Sequence, residues 1–402
     1  MLRKSLTVIA VCLLPLSASL AQTTPPSCHS AAAGQNGSLA GYVPFGPSSP
    51  WNQDVSKATV DPNSSAIIGY VGTTKPLHPD FGAGLYQGST MGIPYIVVTS
   101  ATPNATIHFT DSPGESDPSP MPVPKTAPIE GYPAPGSGDR HVLVLNTTTC
   151  WLYELYSAYP NTDGSWNAGS AAIFDLSTTA YRPWGWTSAD AAGLPIFAGL
   201  VRYDEIVNGH IDHALRFTLH NSKQAMISPA RHWAANSSDT LAAPMGLRFR
   251  LKASVDISKY SKTNQIILTA LKKYGMIMAD NGTSMYLSGT PDDRWSNDDL
   301  HNLTQLTAND FEVIKPTAVY TTLPTGASPV ITSFTASAYS ITAGTKVTLS
   351  WAATGATYYS VAPLGMQRGT WMTVAPTKTT TYTLYATGSY GRTQATLTIT
   401  VH

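Results

Sequence analysis

Charge is scarce in this 402-residue chain: Asp, Glu, Lys and Arg make up only 12% of it, 24 basic residues against 24 acidic. No basic run of the kind that tracks a phosphate backbone is present, so nucleic acid is not an expected partner. Cysteine is rarer still, with three residues. None stands in a Cys-x-x-Cys or Cys/His pattern, which argues against a structural zinc site. After the N-terminal segment no stretch reaches the roughly 18 apolar residues of a membrane span. Walker, Rossmann and EF-hand fingerprints are missing too, and no cofactor is expected.

The N-terminus carries a targeting pattern. Arg3 and Lys4 precede an apolar run from Leu6 to Leu16, and Ser19-Leu20-Ala21 has the small-x-small form of a cleavage site. This predicts a signal peptide over residues 1–21 and a secreted protein, extracellular or periplasmic. Val11 stands before Cys12 where a lipoprotein signal needs a small residue, so no lipid anchor is expected. Cleavage removes Arg3 and Lys4, leaving 24 − 2 = 22 basic residues against 24 acidic, a net charge of −2. Cys28 and Cys150 remain, either as one disulfide tying the N-terminal tail (22–39) to the body or as two free thiols.

Abundant Gly, Pro, Ser and Thr, with 20 tyrosines, predict a mainly β chain of short strands and turns. The expected principal domain, residues 40–314, is a β-sandwich or partly closed barrel. Strands are predicted at Ile93 to Thr99, His141 to Asn146 and Trp151 to Tyr156. One long covering helix is predicted from Ser261 to Tyr274, where Ile266, Ile267, Ala270, Leu271 and Tyr274 share a face. Two Asn-Gly turns predict hairpins. One joins Ile196–Glu205 to the alternating run after Gly209; the other joins Met276–Ala279 to Ser284–Leu287. A Pro/Thr/Gly linker at 315–328 leads to alternating strands over 329–402, which resemble the bacterial Ig-like modules of secreted enzymes, with Trp351 as core ring. Its linker composition implies few contacts between the two parts.

Several segments of the principal domain resemble one family of secreted bacterial and fungal proteins that share an order of motifs. They are LHPDFG, a Glu/Asp-Pro-rich segment, DRHVLVLN with WLYELY, RPWGWTSADAAGLPI, RYDEI, HALRFT, PARHWA, KKYGMIMADNG and RWSNDDLHNL. The family has no settled activity, so the resemblance carries no catalytic residue across.

Side-chain chemistry therefore decides the functional expectation. Tyr181 to Leu219 gathers four carboxylates, three arginines and two histidines in an otherwise neutral sequence. Asp190, Asp204, Glu205, Asp280, Asp298 and Asp299 lie at strand ends or loops beside Trp186, Tyr203 or Trp295. Paired carboxylates with aromatic walls are what glycoside hydrolysis needs. The candidate catalytic set is Asp190, Asp204, Glu205, Asp280, Asp299 and His213; Trp186, Tyr203, Arg216, His232 and Trp295 would hold a poly- or oligosaccharide. The preferred arrangement puts Asp204 or Glu205 beside His213 and Arg216, with Asp190 or Asp280 as second carboxylate. Any one of these carboxylates is more often a turn cap or an arginine partner. A lyase using His213, His232, Tyr203 and Arg216 is the alternative chemistry, and a non-catalytic glycan- or surface-binding protein the alternative class. A metal held by His78, Asp80, His213 and His232 is weaker, because no two of them have close ligand spacing. Gly282-Thr283-Ser284-Met285 echoes a subtilisin-type serine string but lacks the Asp and His contexts. A monomer is expected.

Overall fold

Strands of the principal region are short, and many are buried on both faces. The structure, a computed structural model, describes residues 27–179 and 181–402; the predicted signal peptide lies outside them. The fold is mainly β, with a sheet curled half-way to a barrel. A five-stranded sheet runs in the order Gly34–Gln35, Tyr95–Val98, Val142–Asn146, Trp151–Tyr156, Ser170–Asp175. A six-stranded sheet runs Phe311–Val313, Arg248–Leu251, Met276–Asn281, Leu215–Leu219, Tyr286–Ser288, His78–Asp80.

The period-two alternation of a strand explains how these sheets share their cores. Leu143 and Leu145 join Leu215, Phe217, Met276 and Ile277 in the main core, while Val142 and Val144 face a second core with Trp166, Met121 and Val123. Each such side chain contributes about 1.5–3 kcal/mol by burial. The segment His141 to Asn146 therefore has no polar face, as its sequence implies.

The helix Lys262–Lys273 forms as its pattern predicts. Ser261 Oγ caps its start by accepting from Asn264 N, and Lys272 and Lys273 occupy the last turn. It is not a single long cover, however. At twelve residues it packs on the strand Arg248–Leu251, and a second helix, Ser64–Val71, packs on the edge strand Phe311–Val313.

Both Asn-Gly hairpins are corrected. Tyr203–Asn208 is a helix, and Phe197–Gly199 a 3-10 turn. Asp204 and Glu205 sit in the first turn of that helix, where its dipole favours acids, and Gly209 closes it at φ 84°. In the second case both strands exist, but Leu215–Leu219 lies between them, parallel to Met276–Asn281 and antiparallel to Tyr286–Ser288. The Asn-Gly turn passes over an inserted strand.

Cys28 and Cys150 are bridged, with Cα atoms 5.8 Å apart. Among the described residues no helix is long and apolar enough to cross a membrane.

Two sheets near the C-terminus form the Ig-like sandwich: Val330–Ala336, Val347–Thr354 and Trp371–Val374 face Thr380–Gly388 and Gly391–Val401 with their neighbours. Trp351 is buried between them. The sandwich is fastened to the principal region by more than its linker composition implies. Tyr358 Oη donates to Asp117 Oδ1 at 2.8 Å, Arg368 pairs with Asp175, and Arg392 donates to Ser116 O. Tyr358→Phe would leave a buried carboxylate oxygen without a donor, costing about 1–3 kcal/mol. A fall of a few degrees in melting temperature is expected; an unchanged melting curve would show that this contact carries no load.

Candidate functional site

A cavity of about 270 Å³ opens where the two large sheets meet, lined by Asp139, Tyr156, Asp190, His232, Asp280 and Asn281 among others. The charged groups around it come from separate segments. Arg216 lies on Leu215–Leu219 and Asp280 on Met276–Asn281; Asp139 and His141 lead into Val142–Asn146, and Glu154 is on Trp151–Tyr156. Asp190 comes from the Gly/Pro-rich loop, and Glu130 from the end of the Pro-rich segment.

Arg216 is the centre. Its Nε donates to Asp190 Oδ2 at 3.0 Å and its Nη2 to Asp190 Oδ1 at 3.1 Å. The same Nη2 reaches Asp280 Oδ2 at 3.2 Å, and Nη1 donates to Ser288 Oγ at 2.7 Å. Asp190 is fully buried. Its charge is matched by a two-pronged guanidinium contact, the geometry that makes such burial tolerable.

Asp280 is less fully served. It is partly exposed to the cavity, with one oxygen shared with Arg216 and the other accepting from Asn281 N. Burial and the neighbouring Asp190 charge outweigh Arg216 and push its pKa up to about 7. Asp139 on the rim is also raised, first by burial, then by Glu130 and Asp280, while His141 works the other way and favours its carboxylate.

His141 is buried with both ring nitrogens facing acceptors: Nδ1 to Glu130 Oε2 at 2.7 Å and Nε2 to Ala189 O at 2.9 Å. Burial disfavours its imidazolium, but Glu130 and Asp139 more than offset this, and its pKa rises to about 9. Glu154 accepts from Ile196 N and Phe197 N at 3.0 and 2.9 Å. Burial dominates there, and its pKa rises to about 7. His232 fixes its Nδ1 against Ala191 O at 2.7 Å, and its Nε2 has no protein partner among the described residues.

The sequence-predicted residues divide between this cavity and other places. Asp190, Arg216, Asp280 and His232 are brought together here. Asp204, Glu205 and His213 form a separate buried cluster with Arg202. Glu205 Oε1 accepts from Arg202 at 2.5 Å and lies 2.8 Å from His213 Nε2. Asp204 Oδ2 accepts from Leu39 N at 2.8 Å. Burial raises the Glu205 carboxyl, but Arg202 and His213 bring it below the usual range. The preferred pairing of Glu205 with Arg216 does not occur, because Asp190 and Asp280 occupy that guanidinium. This second cluster caps a helix and fastens the Leu39 segment, and none of its residues lines the acid cavity.

Asp299 accepts from Ser261 Oγ at 2.6 Å and so steadies the start of Lys262–Lys273; the neighbouring Asp298 lies in the first turn of the short helix Asn297–His301. Trp295 is buried against Phe81 and Tyr203, with Nε1 donating to Thr290 O, which leaves no ring face for a sugar. Tyr203 is covered by Trp295 on one side and Arg294 on the other. Trp186 is half-buried between Arg182 and Arg392. The aromatic walls therefore serve packing at these positions.

Sequence reasoning passed over Glu130, Asp139, His141, Glu154 and Tyr156. A usable signal existed. Glu154 is the one carboxylate inside an apolar six-residue strand, and Asp139 and His141 stand at the head of another. A charge in such a place needs a partner or a function.

His78, Asp80, Cys28 and His29 bear on metal binding. His78 is stacked on Tyr286 and Asp80 lies near Glu130 and Arg216, away from His213. The one three-ligand cluster among the described residues, Cys28, His29 and Cys150, has its two sulfurs joined to each other. Ser284 Oγ of the Gly-Thr-Ser-Met string accepts from the backbone N of His220 and makes no hydrogen bond to a histidine ring among the described residues.

No protein-family model matches the chain, and no curated protein matches it in sequence.

Because Asp280 and Glu154 hold protons to about pH 7 when folded and only to about 4 when unfolded, the native state binds the extra protons between those limits. Stability therefore falls as pH rises from about 4.5 to 7. His141 adds the same sign at higher pH: its contribution is complete below about 6.5 and lost through about 9. Melting temperature should decline from pH 4.5 to 9, and Glu154→Gln should flatten the acidic part of the slope. An identical slope in that variant would show that Glu154 is ionised throughout.

Proposed function

We propose that this chain is a secreted glycan-cleaving enzyme, a glycoside hydrolase in which Asp280 is the general acid and Asp139 the carboxylate partner. The observation that supports this most is a pair of carboxyl groups on one cavity, with burial first and then the Asp190 charge pushing Asp280 up to about 7. A proton donor to a glycosidic oxygen must stay protonated at working pH while its partner is ionised. Burial and Asp190 hold the proton on Asp280. His141, an imidazolium at neutral pH, lies beside Asp139 and favours its ionised form. Asp190 and Arg216 are positioning residues: each neutralises the other, and together they orient Asp280. Tyr156 and His232 supply an aromatic face and a polar contact on the cavity wall.

The lyase chemistry fits less well. It needs a cation free to neutralise a uronate, and Arg216 is already taken up by two carboxylates and Ser288. The disulfide agrees with an oxidising compartment, which supports secretion. The likeness to the secreted motif-sharing family belongs to the same proposal: LHPDFG, the Pro-rich segment, DRH, WLYELY, RPWGWTSAD, HALRFT, PARHWA and MADNG each place a polar or charged residue at or near this cavity.

Asp280→Asn should lower turnover on a cleavable polysaccharide by about 10²–10⁴-fold, scored as reducing ends, with melting temperature nearly unchanged because the amide keeps the size and the acceptor of the protonated acid. Asp299→Asn should do the reverse, weakening a helix cap and leaving turnover per folded molecule intact. A panel on which the wild-type protein releases neither reducing ends nor unsaturated products would reject hydrolysis and leave the binding class.

A further inference from the structure

A second concavity, about 530 Å³, is lined by residues other than those of the acid cavity. Its wall includes Tyr132, Pro160, Lys125, Asn36 and Asp292. Its volume is in the range of about 300–1,000 Å³ that holds organic ligands. What sets it apart is the state of two aromatic rings, Tyr132 on its wall and Tyr159, the chain neighbour of the wall residue Pro160. Tyr132 is 45% exposed and Tyr159 47% exposed, yet neither ring is loose. The Arg140 guanidinium, itself buried, sits 4.0 Å from the Tyr159 ring centroid and 5.7 Å from that of Tyr132. Arg140 is in turn fixed by donating from Nε to Ala158 O at 3.1 Å. One immobile cation thus braces two exposed rings. The ordering entropy that a binding site must otherwise supply has already been met by folding.

The chain connects this platform to the acids. Arg140 stands between Asp139 and His141, and Tyr132 lies two residues after Glu130; Glu130 N donates to His141 O at 3.0 Å and joins the two segments. Thr90 N donates to Tyr132 O, and Ser89 Oγ to Ala134 O. These bonds hold against the same segment a small hairpin whose Tyr86 is 64% exposed.

We propose that this groove is a subsite for further sugar units of an extended glycan, whose apolar pyranose faces stack on Tyr132 and Tyr159 and whose hydroxyls meet Asn36, Lys125 and Asp292. This rests on the glycan reading of the acid cavity. Proline-lined walls and mixed charge suit a neutral polar chain with flat apolar faces. A protein partner would need a contiguous apolar patch, and isolated tyrosines do not provide one.

The test uses the full-length protein carrying Asp280→Asn, run in native gels containing soluble polysaccharides, and compared with the same protein carrying Tyr132→Ala and Tyr159→Ala. Retardation by at least one glycan is expected in the first and a weakening of about tenfold in the second, with Tyr132→Phe and Tyr159→Phe retaining binding. In the otherwise wild-type chain, the two alanine changes should raise KM on a polymer while leaving kcat on a short chromogenic glycoside within about twofold. Equal retardation of both proteins, or none by any glycan, overturns the groove. Retardation that depends on the tyrosines in a protein releasing no sugar supports the groove and counts against the acid pair. Cleavage with an unchanged polymer KM does the opposite.

Discussion

The contact on which the site depends is the buried ion pair between Arg216 and Asp190. Arg216 sits mid-sheet, where a guanidinium can be kept only if its donors are satisfied. Asp190 takes two of them and Ser288 a third. Breaking such a pair by removing one partner costs about 3–5 kcal/mol, far more than any exposed ion pair in the molecule. The fit is close on the backbone side as well. A Cβ on Gly199 would stand 2.7 Å from the Arg216 Cβ and 2.7 Å from the Trp51 ring, so only glycine lets that turn approach the strand. Because Asp190 holds the guanidinium with two oxygens, Asp280 receives only a share of its charge. Burial, and then the Asp190 charge, therefore keep the Asp280 pKa up at about 7, because Arg216 offsets them only in part.

The Arg202 cluster uses the same residue types to a different end. Glu205 is held below the usual carboxylate range by Arg202 and His213, so it stays ionised and has no proton to give. Asp204 is engaged by the Leu39 backbone. In that cluster too a carboxylate oxygen, Asp204 Oδ1, lacks a hydrogen-bond partner, so what tells the two buried clusters apart is that Asp280 and Asp190 line the acid cavity and Asp204 and Glu205 do not. Composition alone does not make that distinction, and His213 next to Glu205 is as persuasive in sequence as Asp280 next to Arg216.

That difference sets how far the sequence could be read. The mainly β class, the helix at Lys262–Lys273, the strands around Trp151 and the Trp351 core followed from periodicity and caps, which are local. Asp190 and Arg216 are legible as part of an unusual density of charge, and Asp280 and His232 as chemistry-bearing residues in neutral sequence, but their partners are not, since pairing depends on strands far apart in the chain. The failed hairpin at Ile196 to Phe217 was a matter of weighing. The acids after Arg202 and Gly209 after Asn208 are helix start and stop signals, and they outweigh the alternation that follows them. The second failure was beyond local chemistry: nothing around Asp280-Asn281-Gly282 reveals that Leu215–Leu219 slips between the two strands. Trp295 and Tyr203 were overvalued because exposed and buried aromatics look alike in sequence.

The C-terminal sandwich extends the same dependence. Asp190 is carried by a loop that has little regular structure of its own, and its position comes from backbone bonds such as Ala192 N to Ala279 O together with side-chain bonds. Arg182 Nε donates to Thr187 O at 3.0 Å, and Thr187 N donates to Glu115 Oε2 at 2.9 Å. Ser188 Oγ donates to the Asp190 carbonyl at 3.0 Å. Arg182 is also paired with Asp117, buried at both ends, and the remaining Asp117 oxygen accepts from Tyr358 of the sandwich. Trp184 N donates to Ser389 O at 2.9 Å as well. A continuous path of hydrogen bonds therefore runs from the sandwich through the Pro-rich segment to the loop that presents Asp190 to Arg216. An appended module of this sort is usually read as a spacer. Here it supplies the last donor to a buried carboxylate, and that carboxylate orders the loop on which the charge state of Asp280 rests.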